Sequence, residues 1–190
     1  NHISVFKQVK QSVDERIPGV LITMVTRLTE ETVLINRYWM SRTGRPQIPL
    51  PFLEKIEPVV MDLISENNPA AFREVELTIP GEEPASVFYL EPVFPLPQLV
   101  IAGAGHIGRA MSHLGNMLGF EVTVIDDRPE FANSRNLPDA SHLIVKDIGE
   151  AIKQMRKSSD TYVVIVTRGH KDDAAALRPC IGSGLAYIGM

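Results

Sequence analysis

Gly103, Gly105 and Gly108 stand in the spacing G-x-G-x-x-G inside LVIAGAGHIGRAM, residues 99–111. Each glycine has its own chemical use. The first permits a tight turn, the second lets a pyrophosphate approach the backbone, and the third lets a helix pack closely on a strand. Asp126 follows Gly103 by 23 residues, where a carboxylate would accept hydrogen bonds from a ribose diol. His106 lies within the glycine loop, Asp127 follows Asp126, and TRGH at 167–170 adds Arg168 and His170. A guanidinium, imidazole donors and a helix N-terminus suit an oxyanion such as phosphate. Two histidines with Asp126 or Asp127 would also make a three-ligand zinc or iron set, but the glycine loop already suits an anion, so no metal is assigned.

The elements that must position these residues alternate strand and helix. QLVIA (98–102) is an apolar strand, and after Gly105 the positions Ile107, Ala110, Met111, Leu114, Met117 and Leu118 form one helical stripe that Gly119 stops. EVTVID, HLIVKD, TYVVIV and GLAYIGM read as further strands, with helices over IGEAIKQMRK and KDDAAALRPC. Strand, helix, strand in repetition predicts a right-handed parallel sheet covered on both faces, a Rossmann-like α/β domain. In the strand order 3-2-1-4-5 the first and fourth strands are neighbours. His106 and His170 would then face one crevice. His113, with Arg109 and Asn116, falls on the polar side of the first helix, while His2 and His142 carry no signal. The chain stops on a strand with no covering helix, which reads as an interrupted domain.

Residues 92–97, PVFPLP, place three prolines in six positions and stiffen the chain into a linker. Upstream, Val5, Phe6, Val9 and Val13 predict a short amphipathic helix, and VLITMVT and ETVLINR a hairpin. A helix follows over PFLEKIEPVVMDLISENN, with Pro58 able to kink it, and a second hairpin flanks the turn signal PGEEP at 80–84. The expected organisation is a small α+β domain over 1–91, the linker, and the Rossmann-like domain over 98–190.

Composition narrows the function classes. Of 19 basic and 23 acidic residues, 9 and 13 lie in residues 1–97, so neither half has the basic excess of a nucleic-acid binder. No apolar run is long enough for a membrane span or signal peptide, and a cytoplasmic location is expected. The lone Cys180 can make no internal disulfide and reads as a small residue near a helix end.

At the glycine loop and its neighbours the chain resembles a known family. GAGHIG, GFEVTVIDDRPEFAN, LPDASHLIV, TRGHKDD and LAYIGM together look like the Rossmann domain of xanthine dehydrogenase accessory factors, the XdhC/CoxI family, over residues 98–190. The resemblance implies binding of molybdenum cofactor, as molybdopterin or its dinucleotide, and delivery to a molybdenum hydroxylase such as xanthine dehydrogenase. The family's N-terminal segments G-S-x-P-R and G-G-G-x-x-E are absent from residues 20–54. A non-catalytic maturation factor is the leading expectation, with a homodimer admitted, and Gly103, Gly105, His106, Gly108, Asp126, Asp127, Arg168 and His170 as its cofactor-binding residues. The rival readings are an NAD(P)-dependent oxidoreductase, for which residues 1–92 supply no evident proton-transfer group, and a cofactor-free interaction module.

Overall fold

The computed structural model describes residues 2–79 and 82–190 and divides the chain into two compact units, Asn1–Pro95 and Leu96–Met190. In the first, α1 (His2–Asp14) precedes a hairpin of β1 (Gly19–Arg27) and β2 (Val33–Ser41), and α2 (Leu50–Glu66) precedes β3 (Arg73–Ile79) and β4 (Glu82–Val93). The four strands form an antiparallel sheet in the order β2-β1-β4-β3. The expected turn at Pro80–Gly81 lies outside the described residues. One stripe of α2, Phe52, Leu53, Ile56, Val60, Leu63 and Ile64, is buried against Val20, Ile22, Met40, Phe88 and Leu90. That is the helical period meeting the strand period across one core. α2 runs on through Pro58 and ends at Asn67, whose φ of 50° is left-handed. Trp39 is buried in this unit against Gly19, where any Cβ would collide with its ring at 2.3 Å.

The second unit is the parallel sheet. β5 (Gln98–Ala102), α3 (His106–Met117), β6 (Glu121–Asp126), β7 (His142–Val145), α4 (Ile148–Gln154), β8 (Thr161–Ile165), α5 (His170–Leu177) and β9 (Tyr187–Gly189) follow in sequence. The strand order is β7-β6-β5-β8-β9, so the first and fourth strands of the domain, β5 and β8, are neighbours. Alternation along β5 serves both faces. Leu99 and Ile101 join Val122 and Val124 on one, while Val100 and Ala102 join Ile125, Val163, Ile165 and residues of α4 and α5 on the other. Cys180 is buried on the α5 side, its thiol donating to the Ala176 carbonyl at 3.3 Å.

Of its apolar stripe α3 packs only Met111 against the core, and that in part. Ile107, Leu114, Met117 and Leu118 are all more than half exposed, and the buried residues of the helix are Gly108, Ser112 and Gly115. The physical reason is close approach. A Cβ on Gly115 would stand 2.5 Å from Leu99 Cδ2, and one on Gly108 1.9 Å from the Gly103 carbonyl oxygen. Small residues at i, i+4 and i+7 let the helix lie on the sheet where leucine would hold it off.

Candidate functional site

β5, β6 and β8 end in register, Ala102 pairing with both Ile125 and Ile165, and the connections leaving them build the site. Gly103 donates its N–H to the Ile125 carbonyl at 2.8 Å and turns at φ +118°. A side chain there would be strained and would place its Cβ 2.4 Å from the Val166 carbonyl oxygen. Gly103 and Gly108 are thus demanded by the fold. Gly105 is not. Its φ of −70° and ψ of −166° are open to any residue, and a Cβ on it meets nothing within 4 Å. The space above Gly105 is a cradle that any side chain would occupy.

This cradle lies at the N-terminus of α3, which Gly105 caps without a side-chain hydrogen bond and whose first turn holds no acid. The other helices of the unit differ: the Asp147 carboxylate accepts the Glu150 N–H at 2.9 Å in α4, and α5 carries Asp172 and Asp173 in its first turn. Each helix start concentrates partial positive charge, and in α4 and α5 carboxylates already answer it. In α3 neither a side-chain cap nor a first-turn acid does so.

Asp126, expected to meet a ribose, is engaged within the protein. It is 1% exposed, and it accepts the Ala104 N–H at 2.7 Å, the Arg128 N–H at 3.0 Å and two Arg128 guanidinium N–H bonds at 2.8 and 2.9 Å. Burial pushes its carboxyl up, but the hydrogen bonds from Arg128 and Ala104 and the Arg128 charge outweigh it and hold the group at about 2. Asp126 braces the glycine loop from inside. Arg128 is fixed in turn by stacking 4.0 Å over the Phe131 ring. Arg128 and Phe131 escaped the reading of the sequence because they lie beyond the end of β6 in an irregular segment that no helical or strand period covers; the run DDRPEF was their only signal.

Asp127 is half exposed and lies 3.8 Å from Arg128 Nε and 3.5 Å from Arg168. Since β5 lies between β6 and β8, the Arg168–Asp127 pair passes across the end of β5 that carries the glycine loop. His106 is exposed as the first residue of α3, and His170 opens α5. The two positions follow the carboxyl ends of adjacent strands; the His170 side chain lies outside the described residues. His113 Nδ1 is 2.9 Å from Asp139, and His142 Nε2 3.1 Å from Glu121. Among the described residues no three His, Cys, Asp or Glu side chains are grouped to hold a metal, and no helix is long and apolar enough to cross a membrane.

Comparison with known proteins gives this arrangement a family. Residues 99–190 match the family described as "XdhC Rossmann domain". The chain is 32% identical over 95 residues to "Uncharacterized protein YqeB" of Escherichia coli (strain K12), which covers 50% of the chain and 17% of that protein. It is 25% identical over 114 residues to a probable xanthine dehydrogenase subunit of Bacillus subtilis (strain 168), covering 60% of the chain and 34% of the relative. A crystal structure of a xanthine dehydrogenase from Bacillus halodurans superposes with a TM-score of 0.65 at 19% identity, over 97% of the chain and 51% of that structure, a likeness of fold. The chain thus spans about half or less of the length of the proteins it matches. A parallel sheet of this order, a glycine loop braced by Asp126 and the match over 99–190 agree, and the second unit of the chain matches the XdhC Rossmann domain.

Proposed function

We propose that the glycine loop binds the phosphate of molybdenum cofactor, molybdopterin or its dinucleotide, and that the chain serves the maturation of a xanthine dehydrogenase-type molybdenum hydroxylase. The observation that carries this reading is Gly105, a glycine that neither backbone conformation nor packing requires, facing open space at a helix start without an acid. When bound, the cofactor supplies the pterin dithiolene that holds molybdenum; the work of this chain is to bind and orient. Backbone N–H groups of the first turn of α3 meet the phosphate. Arg168, exposed and held by Asp127 only at 3.5 Å, exchanges that partner for a phosphate oxygen. His106 donates from the loop. The relatives' names, "xanthine dehydrogenase" among them, support the choice of partner enzyme. With Asp126 fully engaged, reading of a ribose in a dinucleotide form falls to the exposed Asp127.

The test is equilibrium binding of purified molybdopterin, followed by its pterin fluorescence, to wild type, Gly105→Val and Arg168→Ala. Both variants are expected to keep the wild-type Tm and to lose at least tenfold in affinity, the effect of about 1.4 kcal/mol. Undiminished affinity in a folded Gly105→Val protein refutes the cradle.

A further inference from the structure

The first unit has two sheet edges, and they are built differently. β3, at one edge, carries Arg73, Glu74 and Glu76, all exposed, the kind of charge that prevents an edge from recruiting another strand. β2, at the other, opens with the uncharged run Val33-Leu34-Ile35-Asn36 and is paired only with β1 among the described residues. Val33, Leu34 and Ile35 are 46, 45 and 42% exposed. Successive strand residues point to opposite faces, so this end of β2 is apolar on both sides and the core beneath the sheet accounts for neither.

We propose that β2 pairs antiparallel with β2 of a second copy of this chain, across a twofold axis through Leu34. With the axis perpendicular to the sheet, opposed residues point to the same side, so only registers centred on a residue are allowed. Centring on Leu34 sets Leu34 against itself, Val33 against Ile35 and, at both ends, exposed Glu31 against Arg37. Moving the centre to Val33 sets Glu31 against Ile35, and moving it to Ile35 sets Arg37 against Val33. Leu34 is the centre that matches apolar with apolar and acid with base. The contact is isologous and closes on itself, joining two four-stranded sheets into one of eight and leaving the charged β3 edges outermost.

The experiment is sedimentation equilibrium on the full chain, with circular dichroism to confirm folding of each variant. Wild type is expected to dimerise below about 100 μM. Leu34→Lys, which sets two ammonium groups face to face on the axis, is expected to be a folded monomer. Arg37→Glu is expected to weaken the dimer at least tenfold, and the double variant Glu31→Arg/Arg37→Glu to restore it. Leu34→Cys places two thiols opposite each other with Cβ atoms about 5 Å apart, and with Cys180 buried, mild oxidation is expected to give a single disulfide-linked dimer. A wild-type monomer at that concentration, or a dimer indifferent to Leu34→Lys and to the charge reversal, overturns the proposal.

Discussion

Replacing Asp126 by asparagine removes the charge that holds the glycine loop to the end of β6, and the structure sets the size of the loss. The carboxyl is held at about 2 against an ordinary value of 3.8, a difference of nearly two pH units. At 1.36 kcal/mol per unit, this amounts to about 2.5 kcal/mol of folding free energy contributed by the ionised form. The side chain is 1% exposed, so solvent does not screen that contribution away. Because the folded value lies below the unfolded one, the stabilisation is fully present above the unfolded value of about 4 and is lost as pH falls toward 2. Asp126→Asn is therefore expected to lower the stability of the second unit by about 2 to 3 kcal/mol at pH 7. In that variant the part of the acid sensitivity between pH 4 and 2 that belongs to this carboxyl disappears. Urea unfolding at pH 7 and at pH 3, read by hydrogen exchange at the Ala104 amide, measures both effects. Trp39 lies in the first unit, so its fluorescence serves in the same sample as an internal control. A change under 0.5 kcal/mol with unaltered Ala104 exchange would refute the bracing role.

Two further outcomes follow from the underside of α3. Gly108→Ala forces a methyl to within 1.9 Å of the Gly103 carbonyl oxygen and is expected to destabilise the second unit by about 3 kcal/mol, whereas Gly105→Ala, facing open space, leaves its Tm unchanged; thermal unfolding of the pair separates the glycine that packing demands from the one it does not. Ser112 is buried with a hydroxyl that has no hydrogen-bond partner, so Ser112→Ala is expected to stabilise the unit by about 1 kcal/mol, a gain visible as a higher denaturant midpoint at constant m-value.

The parallel sheet was legible in the sequence because apolar strands and glycine-stopped helices alternate, and that alternation admits few topologies. The orientation of α3 was not. Hydrophobic periodicity marks a coherent stripe but not the direction it faces, and here the buried contact with the sheet falls to Gly108, Ser112 and Gly115, residues with no hydropathy signal, with Met111 alone of the stripe packed beside them. The glycine loop divides in the same way. G-x-G-x-x-G announces a turn between strand and helix, while only the surroundings of each Cβ separate the two glycines that packing demands from the one it does not. Asp126 is legible as a carboxylate at a strand end, but its partnership with Arg128 is not, since the cation lies two residues on, past the end of the strand.

The Val166 N–H bond to the Ala102 carbonyl on one flank and the Asp126 bond to the Ala104 N–H on the other tie the glycine loop to both neighbouring strands. Arg168 and Asp127, by contrast, are solvated side chains joined by one long contact. The crevice therefore has a fixed half and an adjustable half. An anchoring group loses little conformational entropy on meeting the fixed half, whereas whatever extends beyond it is met by side chains that re-sort at small cost. With a phosphate held as proposed, substitution of Asp127 or Arg168 alters only what is accepted beyond the anchor, whereas substitution of Asp126 or Arg128 loosens the anchor itself.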